Sequence, residues 1–520
     1  MNLGEMFVSG LSAVWGGGTM FLMVVVAIVL GTIFGALPGV SATMAVALGL
    51  TFTYTMGPVP AIVFLTAIYC SSITGGSITA ILFKIPGVPS SAPTTFDGYP
   101  MAQRGEAGKA LGVALLASAI GGLFSALVMF LLATPLSKAA LAFGNGDMFA
   151  ITFLGLSILI VLDTEHILTT IISGLLGLLL ACIGQDPMAG VARLTFGQTN
   201  LLSGMEMIPV LIGLFAVTEV LKQTNTKKRL SADDGVGDNK GKVNTKMPTM
   251  KELWSIKMTL IRCSIVGTVV GILPGAGATI ASFMCYTMEN KLSKYPEKFG
   301  TGIIDGIAAS EAANNSATGG AMVPLLCLGI PGGNAAAVMA SALALKGVQM
   351  GPRLLTVQPE FLSATFITMI ITNILMVIVA IGIAKVFAQI LAIPYYYLGP
   401  IILLLATIGA FSEGNIVGVQ VMVIAGIFGI VVKYMHLNSA AIVLGLVLGG
   451  MCEKYFSQAF QKAHIVTSEM GFGDYVAKVF EGLFGSPISA VVMTACILLL
   501  LSPVFMPFLK KKFGKDKAAQ

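Results

Sequence analysis

Gly35-Ala36-Leu37-Pro38-Gly39-Val40-Ser41-Ala42-Thr43 lies inside an apolar run from about Met20 to Met56, and returns as Gly271-Ile272-Leu273-Pro274-Gly275-Ala276-Gly277-Ala278-Thr279. Proline removes a backbone donor and glycine loosens the chain, so Leu-Pro-Gly breaks a helix. At membrane depth a break is tolerated only where it is buried in protein or lines a cavity. Two breaks in matching places of two halves point to a transporter's binding site. The first break leaves helical pieces too short for comfort, since a span needs about 20 residues. The stretch reads as two tight spans or as a re-entrant hairpin.

The chain has 520 residues, of which 56% are hydrophobic and only 10% charged. An average soluble domain is about 25% charged. The expected class is an all-α polytopic membrane protein, not a barrel, because the apolar runs are long and uninterrupted by period-two alternation. The net charge of +6 sits in basic polar segments, as positive-inside loops require, and does not suggest nucleic acid. Cys70, Cys182, Cys263, Cys285, Cys327, Cys452 and Cys496 read as small buried thiols, with no Cys-x-x-Cys among them. No basic n-region precedes the first apolar run, so no cleavable signal peptide is expected.

The organisation is a lead-in at 1–18, a transmembrane repeat at 19–222, a basic cytoplasmic linker at 223–256 and a second repeat at 257–460. A polar connection at 461–485, a last transmembrane helix at 486–508 and a basic tail at 509–520 follow. In the first half, spans read at 60–83, 107–134, 147–162, 166–184 and 204–222; in the second, at 302–329, 359–390, 398–412, 416–433 and 438–452. Three signals recur in one order. Leu37-Pro38-Gly39 matches Leu273-Pro274-Gly275, Ser72-Ile73-Thr74-Gly75-Gly76 matches Ser316-Ala317-Thr318-Gly319-Gly320, and Ile85-Pro86-Gly87 matches Ile330-Pro331-Gly332. One residue slips between the last two pairs. The basic flanks of the second hairpin place its ends in the cytoplasm, and the first hairpin's uncharged flanks place its ends outside. Odd crossings per half then make the repeats inverted, with the N-terminus outside and the tail cytoplasmic.

A helix that restarts in mid-membrane presents unpaired N–H groups and a positive dipole end, which attract anions. The candidate substrate-binding residues are Pro38, Gly39, Ser41 and Thr43 with Pro274, Gly275, Gly277 and Thr279. The polar segments within spans add Ser72, Thr74, Gly75 and Gly76, and Asn314, Asn315, Ser316, Thr318, Gly319 and Gly320. The bland alternative is interhelical glue. Pro86, Gly87, Pro331 and Gly332 read as hinges or helix breaks. Asp305 and Glu311 are acids in an apolar run. Asp305 fits helix capping at the cytoplasmic interface. Glu311 is the coupling-ion candidate, its alternative being a hydrogen bond to unwound backbone. Asp163-Thr164-Glu165-His166 reads as an interfacial turn, Tyr395-Tyr396-Tyr397 as an aromatic belt, and His436 and His464 suggest no metal. No nucleophile–base motif or phosphate loop is present, so no enzyme is read, and no cofactor beyond a coupling cation, Na⁺ or H⁺.

These motifs, with Asp97-Gly98-Tyr99-Pro100 and Asp305-Gly306-Ile307-Ala308-Ala309-Ser310-Glu311-Ala312-Ala313-Asn314-Asn315, resemble the large membrane subunit of tripartite tricarboxylate transporters, the TctA family. The resemblance covers roughly 19–460. It implies ion-driven uptake of small organic carboxylates, such as citrate, across the bacterial inner membrane. It also implies two partners, a small membrane subunit and a periplasmic solute-binding protein. Ser310 stands where the family pattern has proline, which would alter the local helix start. Lys84 precedes Ile85-Pro86-Gly87, either snorkelling at the interface or meeting a carboxylate. An anion channel with a broken-helix filter is the alternative. A homodimer through the long spans is compatible with the pattern.

Overall fold

The computed structural model describes residues 3–37, 40–162, 167–186, 190–202, 204–218, 220–221, 247–273, 277–390, 395–462 and 472–513. Pro38, Gly39, Pro274, Gly275, most of the basic linker, the Asp163–His166 turn and His464 lie outside them. The described chain is almost wholly helical. Its first elements are α1 (Leu3–Trp15), α2 (Gly18–Ala36), α3 (Ala42–Thr53), α4 (Pro58–Phe83), α5 (Thr94–Gln103) and α6 (Ala107–Leu141). Next come α7 (Asn145–Leu162), α8 (Ile167–Ala181), a two-stranded hairpin of β1 (Gly184–Gln185) and β2 (Ala192–Arg193), and α9 (Met207–Ile212), which runs into a π-helical turn at Gly213–Val217. Beyond the linker lie α10 (Met250–Ser255), α11 (Lys257–Ile272), α12 (Gly277–Leu292), α13 (Ile304–Leu328), α14 (Asn334–Leu345) and α15 (Pro359–Ile390). The last are α16 (Tyr395–Tyr434), α17 (Ser439–Lys462), α18 (Phe472–Phe484) and α19 (Pro487–Phe513). Five described helices contain stretches long and apolar enough to cross a membrane: Gly18–Ala36, Pro58–Phe83, Ala107–Leu136, Pro359–Ala384 and Ile416–Tyr434.

Both expected breaks are present, and the chain leaves the two helices in the same way. Leu37 turns extended at φ −77°, ψ 118°, and Leu273 at φ −73°, ψ 119°. Each precedes a proline, whose ring disfavours helical backbone in the residue before it. On the far side Ser41 caps α3, its hydroxyl accepting the Met44 N–H at 3.1 Å. At 12 residues, α3 is about 18 Å long, short of a hydrocarbon core of about 30 Å.

The chain divides into two compact units. The first is Met1–Lys138 with Ile208–Ile430. Its centre is α4, buried from Ala61 to Ile81, and α13, buried from Gly306 to Cys327. These helices have no polar face because protein covers them all round. Along α4 lies α2, and along α13 lies α11. In the second unit, Ala139–Met207 with Val431–Gln520, α17 packs on α8 and α7, and α19 packs on α7. There Arg193 donates to Glu453 through Nη1 and Nη2 and reaches Asp186 at 3.2 Å. All seven cysteines remain thiols, and all but Cys182 are buried.

Three expectations are corrected. The spans read at 398–412 and 416–433 are parts of one helix, α16. Ser412-Glu413-Gly414-Asn415 is polar but holds no proline, and one glycine costs a helix only about 1 kcal/mol. Asn334–Leu345 is a buried helix where no element was read, because 12 residues fall short of a span. The polar stretch ahead of the last span contains α18, a short amphipathic helix.

Lys109 on α6 holds Glu252 on α10 at 2.5 Å, and Glu252 also closes a capping box with Thr249. The Lys109 ammonium beside it, with the Thr249 donors, holds the Glu252 carboxyl down at about 2. A lowered acid contributes stability above its ordinary value, near 4.5, and loses it as pH falls towards 2. Amide exchange in Met250–Ser255, corrected for intrinsic rates, should therefore be faster at pH 3 than at pH 6. In Glu252→Gln the two pH values should give the same protection; an unchanged pH response in that variant would contradict the assignment.

Candidate functional site

Within the first unit the helix leading into each break lies against the Ser-x-Thr-Gly-Gly segment of its own half. Gly35 on α2 has no room for a Cβ, which would overlap the Ser72 carbonyl, and Gly75 on α4 likewise faces the Thr32 carbonyl. The second half repeats this contact: Gly271 on α11 faces Ala317, and Gly320 on α13 faces the Thr268 carbonyl. Backbones this close let the helices pack through small residues. The Ile-Pro-Gly turns then fold back over the breaks. Gly87 lies against the Gly35 carbonyl and the Gly76 Cα, and Gly332 against the Gly271 carbonyl and the Ala321 Cα.

Pro86 and Pro331 follow helix ends of one geometry. Lys84 takes a left-handed conformation (φ 58°) after α4, and Gly329 does so (φ 79°) after α13. The next N–H, of Ile85 or Ile330, returns to the carbonyl of Thr79 (3.4 Å) or Pro324 (3.1 Å). Lys84 is thus the helix terminator, with its ammonium 5.7 Å from the centre of the Tyr99 ring.

The predicted binding residues fall into two groups. Ser41, Gly277 and Thr279 are half-buried at the restarted helices, and Thr43 is buried in the first turn of α3. Ser72, Thr74, Gly75, Gly76, Asn314, Asn315, Ser316, Thr318, Gly319 and Gly320 are all buried within α4 and α13, and of these Thr74, Asn315 and Thr318 lie where the two helices touch. Asn315 donates to the Thr74 hydroxyl at 2.6 Å, and Cys70 Sγ lies 3.8 Å from Thr318 Oγ1. Several hydroxyls bond back to their own helices, as Ser72 does to Tyr69 and Thr318 to Asn315.

Glu311 is fully buried. Its Oε1 accepts from Thr94 at 2.5 Å, and its Oε2 from Ser118 at 3.0 Å and Asn314 at 3.1 Å. Its partners are side chains, so the alternative reading of a bond to unwound backbone is not what holds it. Among the described residues no cationic side chain pairs with it. Ser310 does not start a helix either: α13 runs through it, and its hydroxyl bonds to Gly306, Ile307 and Thr94. Asp305 sits in the first turn of α13, where a negative charge suits the dipole, and accepts from Thr259 at 3.3 Å.

Asp97 is a second buried carboxylate. Its Oδ1 accepts from the backbone N–H groups of Gly300 (2.9 Å), Gly302 (2.8 Å) and Ile303 (3.0 Å). Its Oδ2 accepts from the Tyr286 hydroxyl at 2.9 Å. Arg104 donates to the Thr301 carbonyl and, at 2.7 Å, to that of Gly302. The loop between α12 and α13 is thereby latched to α5. Burial pushes the Asp97 carboxyl up from its ordinary range, and the four donors pull against it. Lys346, just past α14, donates to the carbonyls of Tyr54 (3.2 Å) and Met56 (2.9 Å), between α3 and α4.

Nothing in the sequence singles out Thr94 or Ser118. A serine or threonine within an apolar run is too common to mark a site, and its partner is distant in sequence. Asp97 was visible only as part of a motif without a role.

A family model described as the tripartite tricarboxylate transporter TctA family matches residues 21–444. An uncharacterized 52.8 kDa protein of the TAR-I ttuC' 3' region of Agrobacterium vitis is 36% identical over 479 residues, covering 92% of each chain. A protein of the TAR-II ttuC' 3' region of the same organism is 38% identical over 194 residues, 37% of this chain and 80% of its own. No solved structure matches.

Asp97→Ala should cost at least about 3 kcal/mol, since three backbone donors lose their acceptor. Asp97→Asn keeps the Oδ1 acceptor and should cost about 1 kcal/mol. Thermal unfolding of the purified variants checks the order; equal melting temperatures for both would contradict the latch.

Proposed function

The chain belongs to the tripartite tricarboxylate transporter TctA family, a family of multi-pass membrane transporters rather than enzymes, and from that premise we propose that it carries small di- or tricarboxylates across the bacterial inner membrane by ion-coupled alternating access. It acts as the large permease subunit beside a small membrane subunit and a periplasmic binding protein. The N-terminus faces outside, and the linker and tail face the cytoplasm.

The observation that carries the reading is the matched packing of the two broken hairpins. The same spacing separates Ser71 from Ser316, Gly75 from Gly320 and Pro86 from Pro331, and the members of each pair have like surroundings. Aligned this way the repeat needs no slipped residue; the slip comes from pairing Ser72, not Ser71, with Ser316. An exchange of contacts supports a two-fold relation between the halves. The region after the first Ile-Pro-Gly, including α5, packs on α12 and α13 and latches their loop through Asp97 and Arg104. The element after the second, α14, packs on α3, and Lys346 holds the loop before α4. A pseudo-two-fold axis relates such exchanged pairs, and the charge of the hairpin flanks favours one in the membrane plane.

The substrate carboxylates meet the restarted helices, where Ser41, Thr43, Gly277 and Thr279 present hydroxyls and N–H groups at positive dipole ends. Pro38, Gly39, Pro274 and Gly275 shape those restarts. The buried layer of Ser72, Thr74, Gly75, Gly76, Asn314, Asn315, Ser316, Thr318, Gly319 and Gly320 stands behind them. Pro86, Gly87, Pro331 and Gly332 are the hinges. Glu311, a buried carboxylate without a cationic partner, is the coupling group for Na⁺ or H⁺.

Uptake of radiolabelled citrate and a dicarboxylate panel into proteoliposomes holding all three subunits tests this. Uptake should saturate, should need an inward Na⁺ or H⁺ gradient and the binding protein, and should fall at least about tenfold in Glu311→Gln. Gradient-independent, non-saturating flux would overturn the carrier in favour of a channel.

A further inference from the structure

Three asparagines in the first unit share an unusual state. Asn314, Asn315 and Asn373 are fully buried, and each uses its amide nitrogen. Asn314 donates to Glu311 at 3.1 Å, Asn315 to Thr74 at 2.6 Å and Asn373 to the Met369 carbonyl at 2.8 Å. The amide oxygen of each is buried without a hydrogen-bond partner. Buried polar atoms in folded proteins are normally paired, so three orphaned oxygens need an occupant. Flipping the amide is no remedy for Asn314 or Asn373. It would set the Asn314 oxygen against the Glu311 carboxylate and the Asn373 oxygen against the Met369 carbonyl.

Contacts join the helices that carry the three residues. Ser118 on α6 reaches Glu311, and one turn on, Gly122 lies so close to the Asn373 amide oxygen that a Cβ would overlap it. Asn315, adjacent to Asn314, has its amide nitrogen 3.9 Å from Met376 Sδ, one turn from Asn373 on α15. Thr74 joins from α4, its hydroxyl 3.2 Å from the same sulfur.

We propose that this layer between α4, α6, α13 and α15 is a binding site for a dehydrated monovalent cation, Na⁺, held by the Glu311 carboxylate and the amide oxygens of Asn314, Asn315 and Asn373. The donors are hard oxygens, which suit alkali and alkaline-earth ions rather than transition metals. No cluster of three His, Cys, Asp or Glu exists among the described residues to hold a transition metal. The site supplies a single negative charge. A monovalent ion neutralises it, whereas a divalent ion would leave an uncompensated buried charge. The site takes its role in coupling from the transport reading above; its existence rests on the orphaned oxygens.

The test is thermal unfolding of the full-length purified chain in lipid nanodiscs, in NaCl, KCl or choline chloride at equal ionic strength. Na⁺ should raise the melting temperature saturably, by about 5 °C at high occupancy, and K⁺ by less. Asn373→Ala should need at least about ten times more Na⁺ for half the shift. Gly122→Ala, which displaces the Asn373 oxygen, should do the same and serves where Asn373→Ala does not fold. Equal melting temperatures in all three salts would overturn the site and leave water as the occupant. So would a normal Na⁺ response in both variants. A Na⁺ shift in a protein that takes up no carboxylate would sustain the site and sink the transport reading. Gradient-driven uptake without a Na⁺ shift would do the reverse.

Discussion

A helix opened inside a membrane protein releases backbone donors and acceptors that no lipid can satisfy, at several kcal/mol for each group left bare. The rest of this molecule is arranged around that constraint. Each break is backed by the helix that follows it, α4 or α13, at backbone distance. The Gly35–Ser72 and Gly271–Ala317 contacts leave no space for a side chain. The Ile-Pro-Gly turn of the same half then covers the exposed carbonyl from above. Packing of this kind is bistable rather than compliant, because interiors this dense do not deform gradually. A carrier needs both properties: a defined site, and discrete states for the elements around it.

The polar groups buried deeper follow a different logic. Asp97 is surrounded by donors and fixes a loop, so it is a structural anion. Glu311 also has donors, yet it lies beside amide oxygens that accept nothing. Hydrogen bonds alone account for the first carboxylate. Near the second, the amide oxygens of Asn314 and Asn315 have no hydrogen-bond partner, and the proposed cation site rests on that. That contrast separates a latch from an ion site more clearly than burial does, since both residues are buried.

Much of this was legible in the chain. Leu37-Pro38 and Leu273-Pro274 announce their extended residues through the restriction that proline places on its predecessor, and Leu37 and Leu273 end with nearly the same backbone angles. The acid in Ile303–Ala313 stood out against an apolar background. What stayed hidden depends on contacts between distant segments. Nothing near Thr94 or Ser118 announces Glu311, and Asn373 is one polar residue in a long apolar helix. Polarity within 398–433 does not divide it into two spans, because a helix tolerates Glu413 and Asn415 where no proline forces an end. The α14 helix was missed because length was judged against a full span, which a helix packed inside protein need not reach.

The central claim is that the two restarted helices form one carboxylate site. The most direct measurement is substrate protection of single cysteines at Ser41 and Thr279, in a background whose seven native cysteines are replaced, against a maleimide of about substrate size. The account predicts that the transported carboxylate slows labelling at both positions with one concentration dependence. Protection at one position alone, or different concentration dependences at the two, would contradict it.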